Sequence, residues 1–561
     1  MSKKIPTRSG GRILVDQLRI HGVEMAFGVP GESYLAVLDA LHDTPDLRFV
    51  VCRQEGGAAM MAEAYGKLTG RPGVCMVTRG PGATNASPGL HIAFQDSTPM
   101  ILLVGQVGRD MIEREAFQEI DYRRLFGQVA KWVAEIDDPA RIPELVSRAF
   151  HTAVNGRPGP VVLALPEDML REPAAVADAG PYARSLAHPG PAEMAKLRAL
   201  LEEAERPFVI VGGGGWDQTG VADIQAFAEA NDLPVGVSFR CQDHFDNRHP
   251  NYAGDVGIGV NPKLAERISG CNLLIAAGPR LGEMTTGGYS LLKVPRPSQR
   301  LVHVHPDPEE LGRVYQPVLA INAAPPAFAA AARRMAPLES PRWRDWTRQM
   351  RRAYEENIVP PDEPGDVDLG KVVKHLTDVL PEEAIVTNGA GNYTAWVHRY
   401  YQYRAFRSQL GPTCGSMGYG TPAAVAAKLL YPEKPVIAFA GDGCFLMNGQ
   451  ELATAVQYEA AIVVIVVNNS MYGTIRMHQE RAYPGRVSGT DLRNPDFVAL
   501  AKAYGASGER VTRTADFPAA FERATKAGRP ALIELVTDKE AISPRATLSG
   551  VRKKALAGAK G

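Results

Sequence analysis

Two short stretches constrain this chain more than anything else in it. In "PVIAFAGDGCFLMNGQELATA", an apolar run over 436–440 stops at Gly441-Asp442-Gly443 and gives way to a helix-like segment. One helix and one strand later, "AIVVIVV" stops at Asn468-Asn469. Short β-branched runs alternating with amphipathic helical stretches specify parallel α/β layers, and open α/β sheets bind ligands beyond the carboxyl ends of their strands. The glycines beside Asp442 let backbone approach a phosphate closely, and the helix start that follows favours negative charge. The spacing brings Asp442 and Asn469 to adjacent strand ends. Two hard oxygen ligands beside phosphate-cradling amides suit Mg²⁺, which keeps phosphate oxygens in its shell. Either motif alone is an ordinary turn or strand terminator. Together, at this spacing, they read as a diphosphate–Mg²⁺ site.

The same alternation runs through the chain. Strand-like runs at 49–51, 74–77, 101–104 and 161–165 alternate with helical patterns such as 11–21 and 57–68, before a Pro/Ala/Gly-rich linker over 171–191. A second α/β segment runs from "PFVIVGGGG" through "NLLIAAG" to "RLVHVHPDP", and an Arg- and Pro-rich connection over 336–366 closes it. The third segment repeats the style of the first, with strands expected at 384–387, 436–439, 462–467 and 531–536. The expected architecture is three doubly wound parallel-sheet domains, over 1–180, 190–345 and 365–545, with a flexible tail over 546–561.

Composition narrows the function classes. Lys+Arg and Asp+Glu balance at 62 each, which removes the electrostatic case for nucleic acid or an anionic membrane. The six cysteines are scattered with no CxxC, as expected of free thiols in a reducing compartment. The N-terminus lacks the apolar core of a signal peptide, and no apolar run nears the roughly 18 residues that span a bilayer. A cytoplasmic protein is expected. P-loop, HExxH and GxSxG motifs are absent.

GDG followed at this distance by NN resembles the cofactor signature of thiamine diphosphate (ThDP) enzymes, and most of the chain is similar to their acetolactate synthase-like group. The resemblance covers "FVVCRQEGGAAMMAEAYGKLTGRPGVCMVTRGPGATN", "GPTCGSMGYGTPAAVAAKLLYPEKPVIAFAGDG" and "NPDFVALAKAYGA". It implies ThDP and Mg²⁺ as cofactors, with a pyrimidine-binding first domain, a Rossmann-like central domain and a diphosphate-binding third domain. Glu55 matches the glutamate that hydrogen-bonds the aminopyrimidine and drives its imino tautomer, and its apolar, glycine-rich surroundings suit proton sharing. Met417 matches the residue that wedges the cofactor into its V shape, and Gly415 the carbonyl that receives the 4′-amino group. Gly391, Asn392 and Tyr393 of "NGAGNYTAW" match the diphosphate-contacting loop. Gly441, Gly443, Cys444 and Tyr472 join them around the cofactor. Asp442, Asn469 and the Met471 carbonyl match the protein ligands of Mg²⁺. In the family the glutamate and the diphosphate site come from different subunits, so a homodimer is implied and a homotetramer is common.

The expected reaction is decarboxylation of a short, pyruvate-like 2-oxo acid, with ligation of the resulting carbanion to a second carbonyl. The alternative is a non-oxidative decarboxylase or acyloin/2-hydroxyacyl lyase on the same fold. "EAFQE" resembles the synthase segment in which Gln118 reaches the reacting centre and Phe117 lines the acceptor pocket; Lys131 matches a lysine at the substrate channel. Three departures stand against a plain biosynthetic synthase. His478 occupies a tryptophan position, "RLGEMTTG" stands where the family has "RFDDRVTG", and within it Met284 replaces an arginine that contacts flavin and an acceptor carboxylate; Gln54, where relatives often have histidine, is a milder departure. The glycine-rich "VIVGGGGWDQTG" lacks GxGxxG spacing, so FAD stays open. His91, His303 and His305 have no placed partner and read as structural or surface groups.

Overall fold

The computed structural model describes residues 5–558. The chain forms two compact units, one ending at Ser185 and the other beginning at Leu186.

The first unit carries one parallel sheet. Its strands are β1 (Met25–Gly28), β2 (Arg48–Val51), β3 (Gly73–Val77), β4 (Met100–Gln106), β5 (Trp132–Glu135) and β6 (Pro160–Pro166), in spatial order β2-β1-β3-β4-β6-β5. Helix α1 (Glu55–Thr69) follows β2, α2 (Gly80–Asp96) follows β3, and α3 (Ile142–Val154) joins β5 to β6. β4 and β6 are buried at every position, as strands covered by helices on both faces must be. The Gln54 side chain caps α1 by accepting from the Gly57 N–H at 3.1 Å.

The second unit holds two further parallel sheets. The central one comprises β7 (Pro207–Val211), β8 (Val235–Ser238), β9 (Tyr252–Val256), β10 (Leu273–Ala277), β11 (Arg300–His305) and β12 (Leu319–Asn322), ordered β9-β8-β7-β10-β11-β12. This is the strand order of dinucleotide-binding sheets, with its reversal between β7 and β10. The last comprises β13 (Ile385–Asn388), β14 (Gln409–Leu410), β15 (Val436–Gly441), β16 (Val463–Asn468), β17 (Ser507–Val511) and β18 (Ala531–Val536), ordered β14-β13-β15-β16-β18-β17. The first and last sheets thus share one topology and the central one differs. Helix α4 (Asp442–Asn448) follows β15 and α5 (Gly473–Ala482) follows β16.

The expected flexible tail is corrected over its described part, because 548–558 form helix α6 (Leu548–Gly558), packed on α5. Arg552 clamps it there, donating to the fully buried Glu480 carboxylate from Nε at 2.7 Å and from Nη2 at 2.5 Å. Such a two-point pair is worth more than a surface ion pair. Residues 559–561 lie outside the described residues. Among those described, no helix is long and apolar enough to cross a membrane, and the six cysteines form no disulfide with one another.

Candidate functional site

In the first unit, loops at the carboxyl edge of the sheet converge on the first turn of α2. Glu55 opens α1 just past β2 and is half-buried. The Asn85 amide donates to its Oε2 at 3.0 Å. A Cβ on Gly82 would stand 3.5 Å from Glu55 Oε1, so the small residues of this turn leave the carboxylate room over the helix. Gln118 lies in the loop that follows β4. Glu113, Glu115 and Gln118 have φ of 63°, 52° and 67°, three non-glycine residues in the left-handed region within six positions. Strain of that kind persists only where surrounding contacts enforce it. Glu119 supplies them, accepting from the Glu113 N–H at 2.6 Å and the Ala116 N–H at 2.9 Å. Gly80, with φ 21°, sits against this loop; a Cβ there would come within 2.8 Å of the Gln118 carbonyl oxygen. Phe117 beside it is 73% exposed.

Lys131 does not join this cluster. It precedes β5, and its N–H donates to the carbonyl of Pro160, the first residue of β6, which places it at the amino edge of the sheet. Its Nζ donates to the carbonyls of Thr152 (2.5 Å) and Asn155 (2.7 Å) at the end of α3. In this chain the cation caps a helix whose terminal carbonyls attract positive charge, apart from the Glu55 and Gln118 cluster.

In the second unit, Asp442 begins α4 at the end of β15 and is 3% exposed. The register pairs Gly441 with Val467, which sets Asn468 directly across from Asp442 and Asn469 one residue further on. Burial raises the Asp442 pKa, opposed by hydrogen bonds from the Asn494 amide and the N–H groups of Gly443, Ser470 and Met471. Asn494 Nδ2 donates to Asp442 Oδ2 at 2.8 Å and to Asn468 Oδ1 at 3.0 Å. Asn468 in turn donates to Glu534 Oε1 at 2.7 Å, and Arg510 Nε donates to the other oxygen of that buried carboxylate at 2.7 Å. Asp442 is therefore oriented by a chain of contacts reaching across β15, β16 and β18.

Sequence reasoning missed Asn494, Asn468 and Glu534 as site residues. Asn494 opens the "NPDF" stretch, and its loop returns to the site through the pairing of Met471 with Asp491. Asn469 Oδ1 accepts from the Met471 N–H at 3.3 Å. The ring of Tyr472 covers Gly443, where a Cβ would stand 2.5 Å from Tyr472 Cε1. Asn392 is held on both sides of its amide, donating to the Ile542 carbonyl at 2.8 Å and accepting from Thr474 at 2.9 Å. Tyr393 is buried, its hydroxyl accepting from the Gly389 N–H at 3.1 Å and lying 3.4 Å from the Cys444 sulfur. Gly391 and Gly415 have φ of 147° and 72°, and Met417 packs half-buried against the core of this sheet. Arg240, past the end of β8, donates to the carbonyls of Gly389 (2.8 Å) and Pro412, so the central sheet holds both loops that flank this region. His478 stands on the exposed face of α5.

A buried carboxylate beside an amide oxygen and a backbone carbonyl, with glycine-lined amides at a helix start, is the donor set of a hard dication that shares phosphate oxygens. Among the described residues no cluster of three or more His, Cys, Asp or Glu could hold a metal by itself. The set fits Mg²⁺ with a diphosphate supplying the remaining ligands.

At the reversal of the central sheet, the glycines are accounted for by the protein. A Cβ on Gly213 would stand 2.3 Å from the Gly278 carbonyl oxygen, and one on Gly278 2.5 Å from that of Gly212. β8 runs out through Ser238, Phe239 and Arg240, with no carboxylate at the position that would meet a ribose. His303 is buried, its Nε2 3.0 Å from the Pro279 carbonyl, and His91 is exposed.

Comparison with known proteins agrees with this geometry. Three thiamine pyrophosphate enzyme profiles match: the N-terminal TPP binding domain over residues 8–125, the central domain over 194–331 and the C-terminal TPP binding domain over 389–535. The acetolactate synthase isozyme 2 large subunit of Escherichia coli (strain K12) is 31% identical, over 95% of this chain and 96% of its own. The acetolactate synthase large subunit of Parasynechococcus marenigrum is 33% identical over 90% of this chain and 84% of its own, and a probable one from Methanocaldococcus jannaschii is 32% identical over 94% and 92%. With a matching domain on each of its three sheets and full-length likeness to these synthase subunits, the chain belongs to the thiamine diphosphate enzyme family, within its acetolactate synthase-like group.

Proposed function

We propose that this chain, with ThDP and Mg²⁺, decarboxylates a short 2-oxo acid and ligates the resulting carbanion to a second carbonyl. Bound ThDP supplies the electron sink for decarboxylation, and the protein decides what the carbanion meets. Asp442, Asn469 and the Met471 carbonyl hold Mg²⁺, with Gly441, Gly443, Cys444 and Tyr472 around the diphosphate. Gly391, Asn392 and Tyr393 line the second diphosphate loop, and Gly415 and Met417 orient the cofactor. Glu55 holds a proton at the pyrimidine and is kept in place by Asn85. The expected domain division, with a pyrimidine-binding first domain and a diphosphate-binding third, belongs to the same proposal. The smallest active unit is a homodimer, and a homotetramer preserves the same pairing.

The observation that carries ligation over simple decarboxylation is the Gln118 loop. Its strained backbone, clamped by Glu119, sets Gln118 against the first turn of the helix over which Glu55 lies. A simple decarboxylase needs only a proton donor; a group held at such cost beside the centre suits the positioning of a second substrate. His478 is the candidate on the acceptor side. Feeding pyruvate and analysing products tests the reading: acetolactate or acetoin is expected, and acetaldehyde as the sole product would refute ligation in favour of the decarboxylase. The absorbance spectrum of the purified protein decides whether flavin is bound.

A further inference from the structure

We propose that Arg79 anchors the carboxylate of an acceptor 2-oxo acid, with Glu32 holding the guanidinium ready until the acceptor arrives. This deepens the proposed function and rests on it.

Arg79 stands just past the end of β3, as the residue before α2, and is only 7% exposed. Arginine is almost never so buried unless its charge is matched. Its match is Glu32, past the end of the neighbouring β1, whose Oε1 accepts from Nη2 at 2.5 Å. That pairing is one-sided. Glu32 is 66% exposed in its side chain and engages one nitrogen, while the buried Arg79 Nε has no hydrogen-bond partner. A guanidinium is built to bind a carboxylate through two parallel N–H groups, and here part of that fork is left over.

The place of the cation gives the spare donors a purpose. Arg79 precedes Gly80, which abuts Gln118, and Gly82 and Asn85, which abut Glu55. Arg109, at the same edge past β4, is already neutralised by Asp168 and Glu172. Arg79 is thus a buried cation with donor capacity to spare beside the candidate reacting centre.

Which carboxylate it takes follows from the chemistry. The donor's carboxylate must shed its charge as CO₂ leaves, so a guanidinium gripping it would stabilise the ground state over the transition state and slow the step. The acceptor's carboxylate passes unchanged into the ligated product, so binding it costs nothing in the chemical step. Its two oxygens replace the exposed Glu32 contact and use the fork fully.

The test uses holoenzyme with ThDP and Mg²⁺, a fixed donor, and either a 2-oxo acid or an aldehyde of matching chain length as acceptor. Arg79→Met should raise the acceptor KM for the 2-oxo acid about 10- to 100-fold, the loss expected for a charge-assisted contact, while aldehyde ligation and CO₂ release change little. Arg79→Lys should recover part of the loss. Glu32→Gln, which keeps the shape but withdraws the competing charge, should lower the 2-oxo acid KM and leave the aldehyde unaffected. Equal losses with both acceptors in Arg79→Met and Glu32→Gln would mean a structural ion pair and overturn the anchor, as would no change in either variant. If wild-type protein releases CO₂ but ligates neither acceptor, the proposed function falls and the anchor with it; if it ligates aldehydes only, the anchor alone falls.

Discussion

Replacing Asn494 with alanine removes the side chain that joins Asp442 to the rest of its network. The lost amide donates to Asp442 Oδ2 at 2.8 Å, and Asp442 is 3% exposed, so water has little access to take its place. A hydrogen bond to a charged group is worth about 1.5–3 kcal/mol. Each 1.4 kcal/mol is about tenfold, so Mg²⁺ affinity should fall by roughly 10- to 100-fold, the range found for partners that orient metal ligands. Thermal melting of apo-protein titrated with Mg²⁺ at saturating ThDP measures this without turnover. At Mg²⁺ one hundred times the wild-type Kd, wild type gains about 2.7 kcal/mol from binding; a thirtyfold weaker variant gains about 0.9 kcal/mol. Glu534→Gln, two contacts further out through Asn468, should give a smaller loss in the same direction, because its oxygen still accepts from Asn468. A Kd in Asn494→Ala within twofold of wild type would refute the view that this network positions the ligand.

Other outcomes follow from the same geometry. Glu55→Gln should abolish most activity while leaving the melting temperature of the apo-protein within a few degrees, as measured by turnover and calorimetry. Gly443→Ala puts a methyl group where Tyr472 Cε1 stands 2.5 Å away; overpacking of this kind costs about 1–3 kcal/mol, read as a lowered denaturation midpoint and weaker ThDP binding. Gly80→Ala should push the Gln118 loop outward, so CO₂ release should persist while the ligated fraction of product drops. The Arg552 pair holds the Glu480 carboxyl down to about 2 from its ordinary 4.5. The unfolded chain protonates this group first, so its stabilising contribution is full above pH 4.5 and is lost as pH falls towards 2. Limited proteolysis at a series of pH values should show α6 released over that window, and Arg552→Ala should release it at neutral pH.

Much of the architecture was legible because it is written in local pattern. Runs such as 161–165 and 462–467 are apolar at every position, and only strands covered on both faces need that. Strands without the pattern escaped notice. Met25–Gly28 is buried but only four residues long, and Ser507–Val511, at the sheet edge, is mostly half-exposed. The 546–561 stretch looked like a solvated tail because its basic residues suggest one; a buried partner, Glu480, lies far back in the chain and turns one of those charges into a clamp.

The candidate site divides in the same way. The sequence by itself determined that Asp442 ends a buried strand between glycines and that a second strand ends in asparagines, since the geometry of a strand–turn–helix depends on chain neighbours. Glu55 and the Gln118 segment stood out through their resemblance to the family's segments. Tertiary structure alone decided that Asn494, Asn468 and Glu534 hold Asp442, that Lys131 sits at the opposite edge from Glu55, and that a buried Arg79 faces a single exposed carboxylate. Those facts depend on which strands lie side by side and which end of each faces the site, and the packing of distant segments sets both.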